Sequence, residues 1–360
     1  MAQRKRALFS TALSAKGLAQ QEPVMQKNVD LFVEKLGVLG SADDGVDMAK
    51  WFIYLGFDIL GEMAFGESFE CVQREASHPW LDQMLGLMHM VTVMDNLRRY
   101  PMLATLVACI PWVNGYQKRM IQFSREKTAA RLQKQGEQRD FLDNVASRVR
   151  EGLISQDEMV SHSWNLALVQ LQPTRRDPSV DTWTSMAGGE TSGSAMASIV
   201  YFVLKNPEVH HKLKEEVRTA FVSYTEIDVT STTKLAYLIA VLKEGMRIFP
   251  TAPQGTPRAS PGMIVEGHHI PPGAEVPERW LDPTCTDDRS ASQPFSLGPR
   301  VCPGKLFAFG TMALQLAKLV YVYDMELLDQ QLDWIATCRM HFLWWKPELR
   351  VCFSPRAPKS

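Results

Sequence analysis

Apolar residues recur at helical spacing over most of this chain. In residues 1–40 the positions Val29, Phe32 and Leu36 follow one another at intervals of three and four, which predicts a helix there. Further stretches with the periodicity or composition of helices are 51–69, 80–135, 186–204, 210–221, 235–248 and 305–322. Only residues 262–276 and 343–353 have the character of strands. The pattern therefore predicts a mainly helical fold with a small β region.

The composition narrows the classes of function. The chain has 360 residues, of which 45% are hydrophobic and 22% charged, enough for a large core in one or two domains. The net charge of −1 gives no reason to expect a nucleic acid partner. Six cysteines without regular spacing indicate neither a disulfide framework nor a zinc site, and they favour a reducing compartment. We expect neither a signal peptide nor an uncharged apolar stretch long enough to span a bilayer.

One cysteine has the surroundings of a metal ligand. Cys302 lies in the loop FSLGPRVCPG, residues 295–304, immediately before the predicted helix 305–322. The unpaired N–H groups at a helix N-terminus carry partial positive charge and favour the deprotonated sulfur. Pro303 suits the first turn of that helix, where its missing N–H is no loss. A thiolate presented in this way suits the iron of a porphyrin.

Three neighbours of this cysteine fit a flat, anionic ligand. Gly298 permits a tight turn or a close approach of the ligand to the backbone. Arg300 supplies a fixed cation for an anionic group such as a propionate, and Phe295 can cover one side of the sulfur. The alternative is a buried structural cysteine beside a turn. That alternative is our default for the remaining cysteines: Cys71, Cys109, Cys285, Cys338 and Cys352.

The loop resembles the haem-binding signature of the cytochrome P450 family, F-x-x-G-x-R-x-C-x-G. Every fixed position matches, at Phe295, Gly298, Arg300, Cys302 and Gly304. The resemblance implies a P450-like fold, haem b (iron protoporphyrin IX) as the cofactor, and Cys302 as the axial ligand of the haem iron. It also implies that the other four residues bind the haem.

A second motif lies in the predicted helix 186–204. Residues 187–192 read Ala-Gly-Gly-Glu-Thr-Ser, and the two adjacent glycines weaken the hydrogen-bond ladder of a helix. Glu190 and Thr191 follow them and can relay protons in an oxygenase. The segment resembles the family's oxygen-activating motif, (A/G)-G-x-(D/E)-T-(T/S), which implies catalytic roles for both residues. Taken alone, the small residues are explained equally well by close helix packing.

Further charged residues lie in segments that resemble structural motifs of the family. Glu244 and Arg247 lie three apart on one helical face, in apolar surroundings that favour a buried ion pair. They match the family's E-x-x-R motif, and Arg279 lies in its P-E-R-W motif, so the resemblance implies a structural lock of these three residues near the haem. Arg258, in the proline-broken segment 251–258, is by the same resemblance a partner for a haem propionate; its alternative is an exposed loop arginine.

The resemblance implies a haem-thiolate monooxygenase that hydroxylates its substrate with dioxygen and with electrons from NADPH. The implied partner is NADPH–cytochrome P450 reductase, docking on the thiolate side. A small lipophilic substrate is expected because the candidate cavity-lining segments, 84–102 and 251–258, offer apolar side chains. The motifs resemble those of fungal members, which favours secondary metabolism. The family implies the endoplasmic reticulum membrane, whereas the expected lack of an anchor in this chain leaves a cytoplasmic location open.

Three stretches depart from the family's pattern. The N-terminal anchor and first helices are expected to be absent. Residues 164–181 interrupt the approach to the second motif, and their two prolines cannot lie in a helix interior, which indicates an insertion. Val276 runs directly into the P-E-R-W motif, where a further strand and a short helix are expected. We therefore expect the chain, a single P450-like domain over residues 1–360, to retain haem poorly.

Three alternatives remain open on the sequence. A P450-like isomerase or dehydratase, or a peroxide-driven enzyme, would not need the proton relay of Glu190 and Thr191. A degenerate or non-catalytic haem-binding fragment would account for the three departures. A structural or interaction protein without haem would leave Cys302 as an ordinary core cysteine.

Overall fold

The computed structural model describes six continuous stretches of the chain: residues 13–41, 44–83, 188–252, 292–298, 301–341 and 343–356. It also describes residues 100, 102, 122–123, 125–127, 129–130, 132–133, 147, 149–152 and 288. This part of the chain is mainly helical with a small β region, which confirms the predicted fold class. Three of the expectations fall mostly or wholly outside these residues: the helix in 80–135, the insertion 164–181 and the strands in 262–276.

The longer described helices lie where the sequence predicts helices, whereas the strands β1, β2 and β3 named below were not predicted. The helices are α1 (Ala15–Leu39), α2 (Met48–Phe65), α3 (Cys71–Arg74), α4 (Gly189–Lys205), α5 (Pro207–Ala220), α6 (Val229–Thr232), α7 (Ala236–Ile248), α8 (Lys305–Val322) and α9 (Trp334–Thr337). The strands are β1 (Val46–Asp47), β2 (Tyr323–Leu327), β3 (Arg339–His341), β4 (Leu343–Trp345) and β5 (Arg350–Pro355). Helix α8 has the bounds that the apolar pattern predicts.

Helix α1 is stabilised by its cap and by its buried face. Ser14 caps it by accepting a hydrogen bond from the Gly17 N–H at 3.1 Å. Its core face carries Val29 and Phe32 among other buried side chains at helical spacing. Pro23 lies inside the helix and removes one backbone hydrogen bond. Packing of the apolar face therefore maintains this helix across a residue that disfavours it.

Helix α2 lies in the core, and nearly all of its residues are buried. Asp47 caps it by accepting a hydrogen bond from the Ala49 N–H at 3.1 Å, and the same carboxylate oxygen accepts one from the Leu349 N–H at 2.9 Å. Burial raises the pKa of the Asp47 carboxyl. At the other end Gly66 adopts a left-handed φ of 70°. The helix therefore ends at Phe65, just before this glycine and within the predicted stretch 51–69.

The described strands form two small antiparallel sheets. In the three-stranded sheet β5 lies between β1 and β2, with Val46 opposite Val351 and Met325 opposite Phe353. Strands β3 and β4 form the second sheet. The first sheet therefore joins the segment around residue 350 to the entry of α2, far away in the sequence.

Helix α4 packs closely on α2 because glycines lie at their contact. A Cβ atom on Gly56 would lie 2.6 Å from the carbonyl oxygen of Gly189 and 2.9 Å from its Cα. A Cβ on Gly193 would lie 3.0 Å from the backbone nitrogen of Ile53 and 3.0 Å from the carbonyl oxygen of Phe52. All four atoms belong to the backbone and cannot move away as a side chain would. Gly189 of the second motif and Gly193 just after the motif therefore serve close helix packing.

We expect Gly56→Ala to lower the free energy of unfolding by about 1–2 kcal/mol. Alanine gains up to ~1 kcal/mol in helix propensity, but the overpacking against Gly189 costs about 2–3 kcal/mol. Gly188→Ala is the matched control, since the nearest described heavy atom to its Cβ would be the flexible tip of Leu60 at 3.3 Å. Chemical denaturation of both variants measures the difference. A Gly56→Ala variant as stable as the parent chain would contradict the close packing.

Helix α8 is a core helix that also has the length and apolar composition of a membrane span. It is the one helix of this kind in the part of the chain that the structure describes, and 61% of it is buried inside the protein. The expectation that no apolar stretch would be long enough applied to uncharged stretches, and α8 contains Lys318. That lysine is 2% exposed and donates hydrogen bonds to Gln26 and Asp30 of α1. The apolar composition of α8 is therefore explained by its packing within the fold.

His210 on α5 makes the stability of the fold depend on pH. Its imidazole is half-buried, and the Nε2 atom is enclosed without a hydrogen-bond partner in the described chain. Burial, assisted by the nearby charge of Lys214, lowers the pKa of His210 from 6.5 to about 4. Arg218 and His211 act in the same direction, and the carboxylate of Asp324 opposes them. Because the unfolded state binds the proton more tightly, the stability from this group is present above pH 6.5 and is lost as the pH falls toward 4.

We expect His210→Gln to reduce the loss of stability on acidification. The reduction should be on the order of 1 kcal/mol, since half-exposure weakens the effect. His211→Gln, on the exposed face of the same helix, is the control and should change the pH dependence less than His210→Gln, because the charge of His211 is the smallest of the influences named on His210. Urea titrations at several pH values between 4 and 7 compare the variants. Equal slopes for the parent chain and His210→Gln would contradict the prediction.

Candidate active site

Cys302 lies in a turn just before α8, and its thiol is half-buried. Its backbone N–H donates a hydrogen bond to the carbonyl of Phe295 at 2.8 Å, and the N–H of Val301 donates to the carbonyl of Gly298 at 3.1 Å. The N–H of Lys305, the first residue of α8, donates to the carbonyl of Cys302 at 3.4 Å. These bonds fold the loop back on itself and place Cys302 at the N-terminal end of the helix.

Two glycines of the loop flank Cys302 in the sequence. Gly298 has a left-handed φ of 59°, and a Cβ atom on it would meet nothing within 4 Å in the described chain. A Cβ on Gly304, the N-cap of α8, would lie 3.9 Å from the Sγ of Cys302. The ring of Phe295 packs against Phe309 at 5.3 Å between ring centroids. Small residues around one accessible thiol fit a flat ligand that is bound through the sulfur.

The position of Pro303 differs from the prediction. It is exposed in the turn that precedes α8 and is not part of the first helical turn. The helix begins at Lys305, and its ladder of hydrogen bonds starts with the Ala308 N–H donating to the Gly304 carbonyl at 2.8 Å. The proline therefore ends the loop, and glycine takes the capping position.

The other described cysteines have different surroundings. Cys71 is buried, and burial, together with the carboxylate of Asp58, raises the pKa of its thiol to about 12. Burial raises the pKa of the Cys338 thiol to about 11. Cys338 and Cys352 are half-buried, in contrast to the expected full burial. Thiols with raised pKa values stay protonated at neutral pH and are poor ligands. Two further cysteines lie outside the described residues: Cys109 and Cys285.

Glu190 lies in the first described turn of α4, where its carboxylate meets a buried ammonium group. The side chains of Glu190 and Lys346 are each 3% exposed. The Nζ of Lys346 donates hydrogen bonds to Glu190 Oε1, to Ser194 Oγ at 2.7 Å and to the carbonyl of Trp344 at 3.0 Å. Ser194 Oγ also donates to Glu190 Oε1, at 3.1 Å. The second carboxylate oxygen, Oε2, is enclosed without a hydrogen-bond partner in the described chain. Thr191, the next residue, is half-buried.

Sequence reasoning singled out Glu190 but missed Lys346 and Ser194. Lys346 is 156 residues away from its partner, so no local spacing links the two. A signal was present, since Lys346 is a single charge between apolar neighbours in the run LWWKP. Trp345 is 53% exposed whereas the lysine side chain turns inward, which reverses the usual preference of the two residue types.

Glu244 and Arg247 form a bidentate ion pair on α7. The Nε of Arg247 donates to Glu244 Oε2 at 2.9 Å, and its Nη2 donates to Oε1 at 2.9 Å. The Glu244 side chain is 2% exposed and that of Arg247 is 26% exposed. This geometry agrees with the expected buried pair, whereas its role as a lock stays a prediction. Three arginines expected near the haem lie outside the described residues: Arg258, Arg279 and Arg300.

Nearly the whole chain matches one protein family. The family model for cytochrome P450 matches residues 1–276 and 276–353. The chain belongs to the cytochrome P450 family. The match divides at Val276, the position at which we expect the chain to lack a strand and a short helix.

Curated relatives of this cytochrome P450 are fungal monooxygenases. Cytochrome P450 monooxygenase ORF9 of Penicillium roqueforti (strain FM164) is 40% identical to it, over 97% of this chain and 69% of the relative. Cytochrome P450 monooxygenase BOT4 of Botryotinia fuckeliana is 37% identical, over 98% of this chain and 68% of the relative. Averantin hydroxylase of Dothistroma septosporum (strain NZE10 / CBS 128990) is 32% identical, over 98% and 69%. The chain is thus an oxidoreductase of the class that incorporates molecular oxygen, and the family implies haem iron.

The described loop fits the haem iron that the family implies. It offers one half-buried thiol, Cys302, at a helix N-terminus, and small residues, Gly298 and Gly304, in the same turn. This is the donor set of an iron porphyrin bound by a single axial thiolate. The structure therefore agrees with the family in the chemistry of the ligand that it presents.

Proposed function

We propose that this cytochrome P450 is a haem-thiolate monooxygenase that hydroxylates a small lipophilic substrate with dioxygen and with electrons from NADPH. The observation that carries the proposal is the position of Cys302, a half-buried thiol at the N-terminus of α8. The cofactor is haem b, with Cys302 as the axial ligand of its iron. Phe295, Gly298, Arg300 and Gly304 surround the haem, because they fill the other fixed positions of the family signature.

The residues of the chain bind the haem and move protons in this proposal. Haem iron bound by a thiolate supplies the activation of dioxygen when it is present. Arg258 and Arg300 bind the propionates of the haem through charge-assisted hydrogen bonds. Glu190 and Thr191 pass protons toward the site where dioxygen is reduced. The Oε2 atom of Glu190, enclosed without a hydrogen-bond partner in the described chain, supports this role.

The electron donor in this proposal is NADPH–cytochrome P450 reductase, and it docks on the face that carries Cys302. Leu297 and Leu306 are 62% and 51% exposed on the two sides of that cysteine in the sequence, which supports a docking surface there. The name of the averantin hydroxylase relative supports hydroxylation, and its fungal source supports a role in secondary metabolism. The site of action is the endoplasmic reticulum membrane, as is typical of the family.

The reduced, carbon-monoxide-bound absorption spectrum of the purified protein tests the proposal. We expect the red-shifted band of thiolate-ligated haem, because Cys302 is the ligand. A protein that binds no haem after reconstitution, or that gives the unshifted band of a nitrogen-ligated haem, would contradict it.

A second candidate is a haem-binding fragment without turnover. The division of the family match at Val276 favours it, since a missing strand leaves a sheet edge open. Such a fragment would show the red-shifted band but no consumption of NADPH with the reductase. Consumption of NADPH that depends on the haem would exclude this candidate.

A further inference from the structure

The ammonium group of Lys346 is fully satisfied by acceptors around Glu190. An ammonium has three hydrogens, and they meet Glu190 Oε1, Ser194 Oγ and the carbonyl of Trp344. Two of these acceptors belong to α4, and the third lies on β4. The lysine therefore links the strand after the β3–β4 turn to the start of the helix that carries Glu190.

The burial of both charges makes each partner dependent on the other. Both side chains are 3% exposed, and removal of one charge would leave the other buried without compensation. The opposite charges of the pair offset part of the cost of burying each of them in an apolar region.

The pair also makes the two carboxylate oxygens of Glu190 unequal. Oε1 accepts hydrogen bonds from Lys346 and from Ser194. Oε2 is enclosed and accepts none in the described chain. Oε1 is therefore already hydrogen-bonded when a proton arrives at this carboxylate, whereas Oε2 has no hydrogen-bond donor in the described chain.

We propose that Lys346 is a positioning residue that fixes Glu190 so that Oε2 is the oxygen of the proton relay. This inference rests on the proposed function, in which Glu190 passes protons during dioxygen reduction. Oε2 takes a proton from the preceding group of the relay and releases the same proton toward the reduced dioxygen, while Oε1 stays bonded to Lys346. The carboxylate is regenerated at each passage, and the electrons come from NADPH.

The first measurement tests the coupling of the two residues without reference to activity. Thermal unfolding of the purified protein is recorded for Lys346→Met, Glu190→Gln and the double variant. We expect Lys346→Met alone to lower the unfolding midpoint most, and the double variant to recover at least half of that loss. Additive shifts would show that the two side chains do not depend on each other, and would overturn the proposal.

The second measurement follows the fate of dioxygen with NADPH and the reductase. One NADPH and one proton reduce a dioxygen molecule to hydrogen peroxide, whereas two NADPH and two protons reduce it to two water molecules. Failed proton delivery shifts the balance toward peroxide, and no organic substrate is needed to observe it. We expect Glu190→Gln and Lys346→Met each to raise the peroxide formed per dioxygen consumed about twofold or more.

Lys318→Met is the matched control for structural damage. Lys318 is also buried, at 2% exposure, and ion-paired, but its partners lie on α1. The Lys318→Met variant should have a lower unfolding midpoint but form no more peroxide per dioxygen consumed than the parent protein. Ser194→Ala is a second variant with both charges intact, and it should raise the share by a smaller amount than Lys346→Met.

The outcomes separate this inference from the proposed function. An unchanged peroxide share in Glu190→Gln would refute the relay itself. A raised share in Glu190→Gln with an unchanged share in Lys346→Met would overturn the role of Lys346 alone. Equal rises in Lys346→Met and Lys318→Met would show a merely structural lysine, and the proposal would fail. If Lys346→Met does not fold, an unchanged share in Ser194→Ala overturns it.

Discussion

Cys302→Ser is expected to abolish the red-shifted carbon-monoxide band of the reduced protein. A serine hydroxyl is a much weaker donor to iron than a thiolate, and it does not ionise at neutral pH, so the axial ligand is lost. The loop itself should survive, because the hydrogen bonds made by the backbone N–H and carbonyl of Cys302 are available to serine as well. The change in the spectrum then reports ligation and not unfolding.

The matched control for this variant is Cys338→Ser. Cys338 is also half-buried, and burial raises the pKa of its thiol to about 11, which keeps it protonated. We expect it to leave the spectrum unchanged. Retention of the red-shifted band by Cys302→Ser, or its loss from Cys338→Ser, would mean that another residue binds the iron.

Arg247→Met is expected to lower the free energy of unfolding by about 3 kcal/mol. Methionine fills part of the volume of the arginine side chain, but it removes the guanidinium that meets both carboxylate oxygens of Glu244. Glu244 is 2% exposed, so water cannot replace the lost partner at little cost. Chemical denaturation of the purified variant measures the loss.

Arg350→Met is the matched control for charge removal. Arg350 donates from its Nε to Glu348 at 2.9 Å, the same distance as in the pair on α7, but these side chains are 41% and 64% exposed. Removing an exposed pair costs at most about 1 kcal/mol. The double variant Arg247→Met/Glu244→Gln should regain most of the stability. Equal losses in the two single arginine variants would show that the pair on α7 is no stronger than a surface pair.

Local motifs made the centre of the candidate site predictable. The spacing of Cys302 from the glycines of its loop is a property of ten consecutive residues, and so is the start of α8 after them. Glu190 and Thr191 are found in the same way. The partner of Glu190 is not, because Lys346 approaches it from another part of the fold. A spacing rule cannot find a contact that only tertiary structure creates.

The helical fold was predictable wherever one apolar stripe dominates. Helix α8 and the core face of α1 follow from periodicity. The interior position of Pro23 would have argued for a break, and packing overrides that local preference. The sequence shows that Gly56 and Gly189 are small, but it does not show that they face each other. Their close approach depends on which helix packs opposite each glycine, and only the fold determines that.

The pairing of β1 with β5 has a consequence for how the protein is made. The hydrogen bond from the Leu349 N–H to the Asp47 carboxylate joins residues 302 positions apart. Contacts between residues so far apart in the sequence form late in folding, because the chain must lose the entropy of a long loop before they form. A ribosome-bound chain cannot complete this sheet until residues 349–355 have emerged. The hydrogen bond from the Leu349 N–H to Asp47, the cap of α2, must wait for the same residues. We therefore expect nascent chains to expose the apolar surface around α2 during synthesis and to be substrates for chaperones.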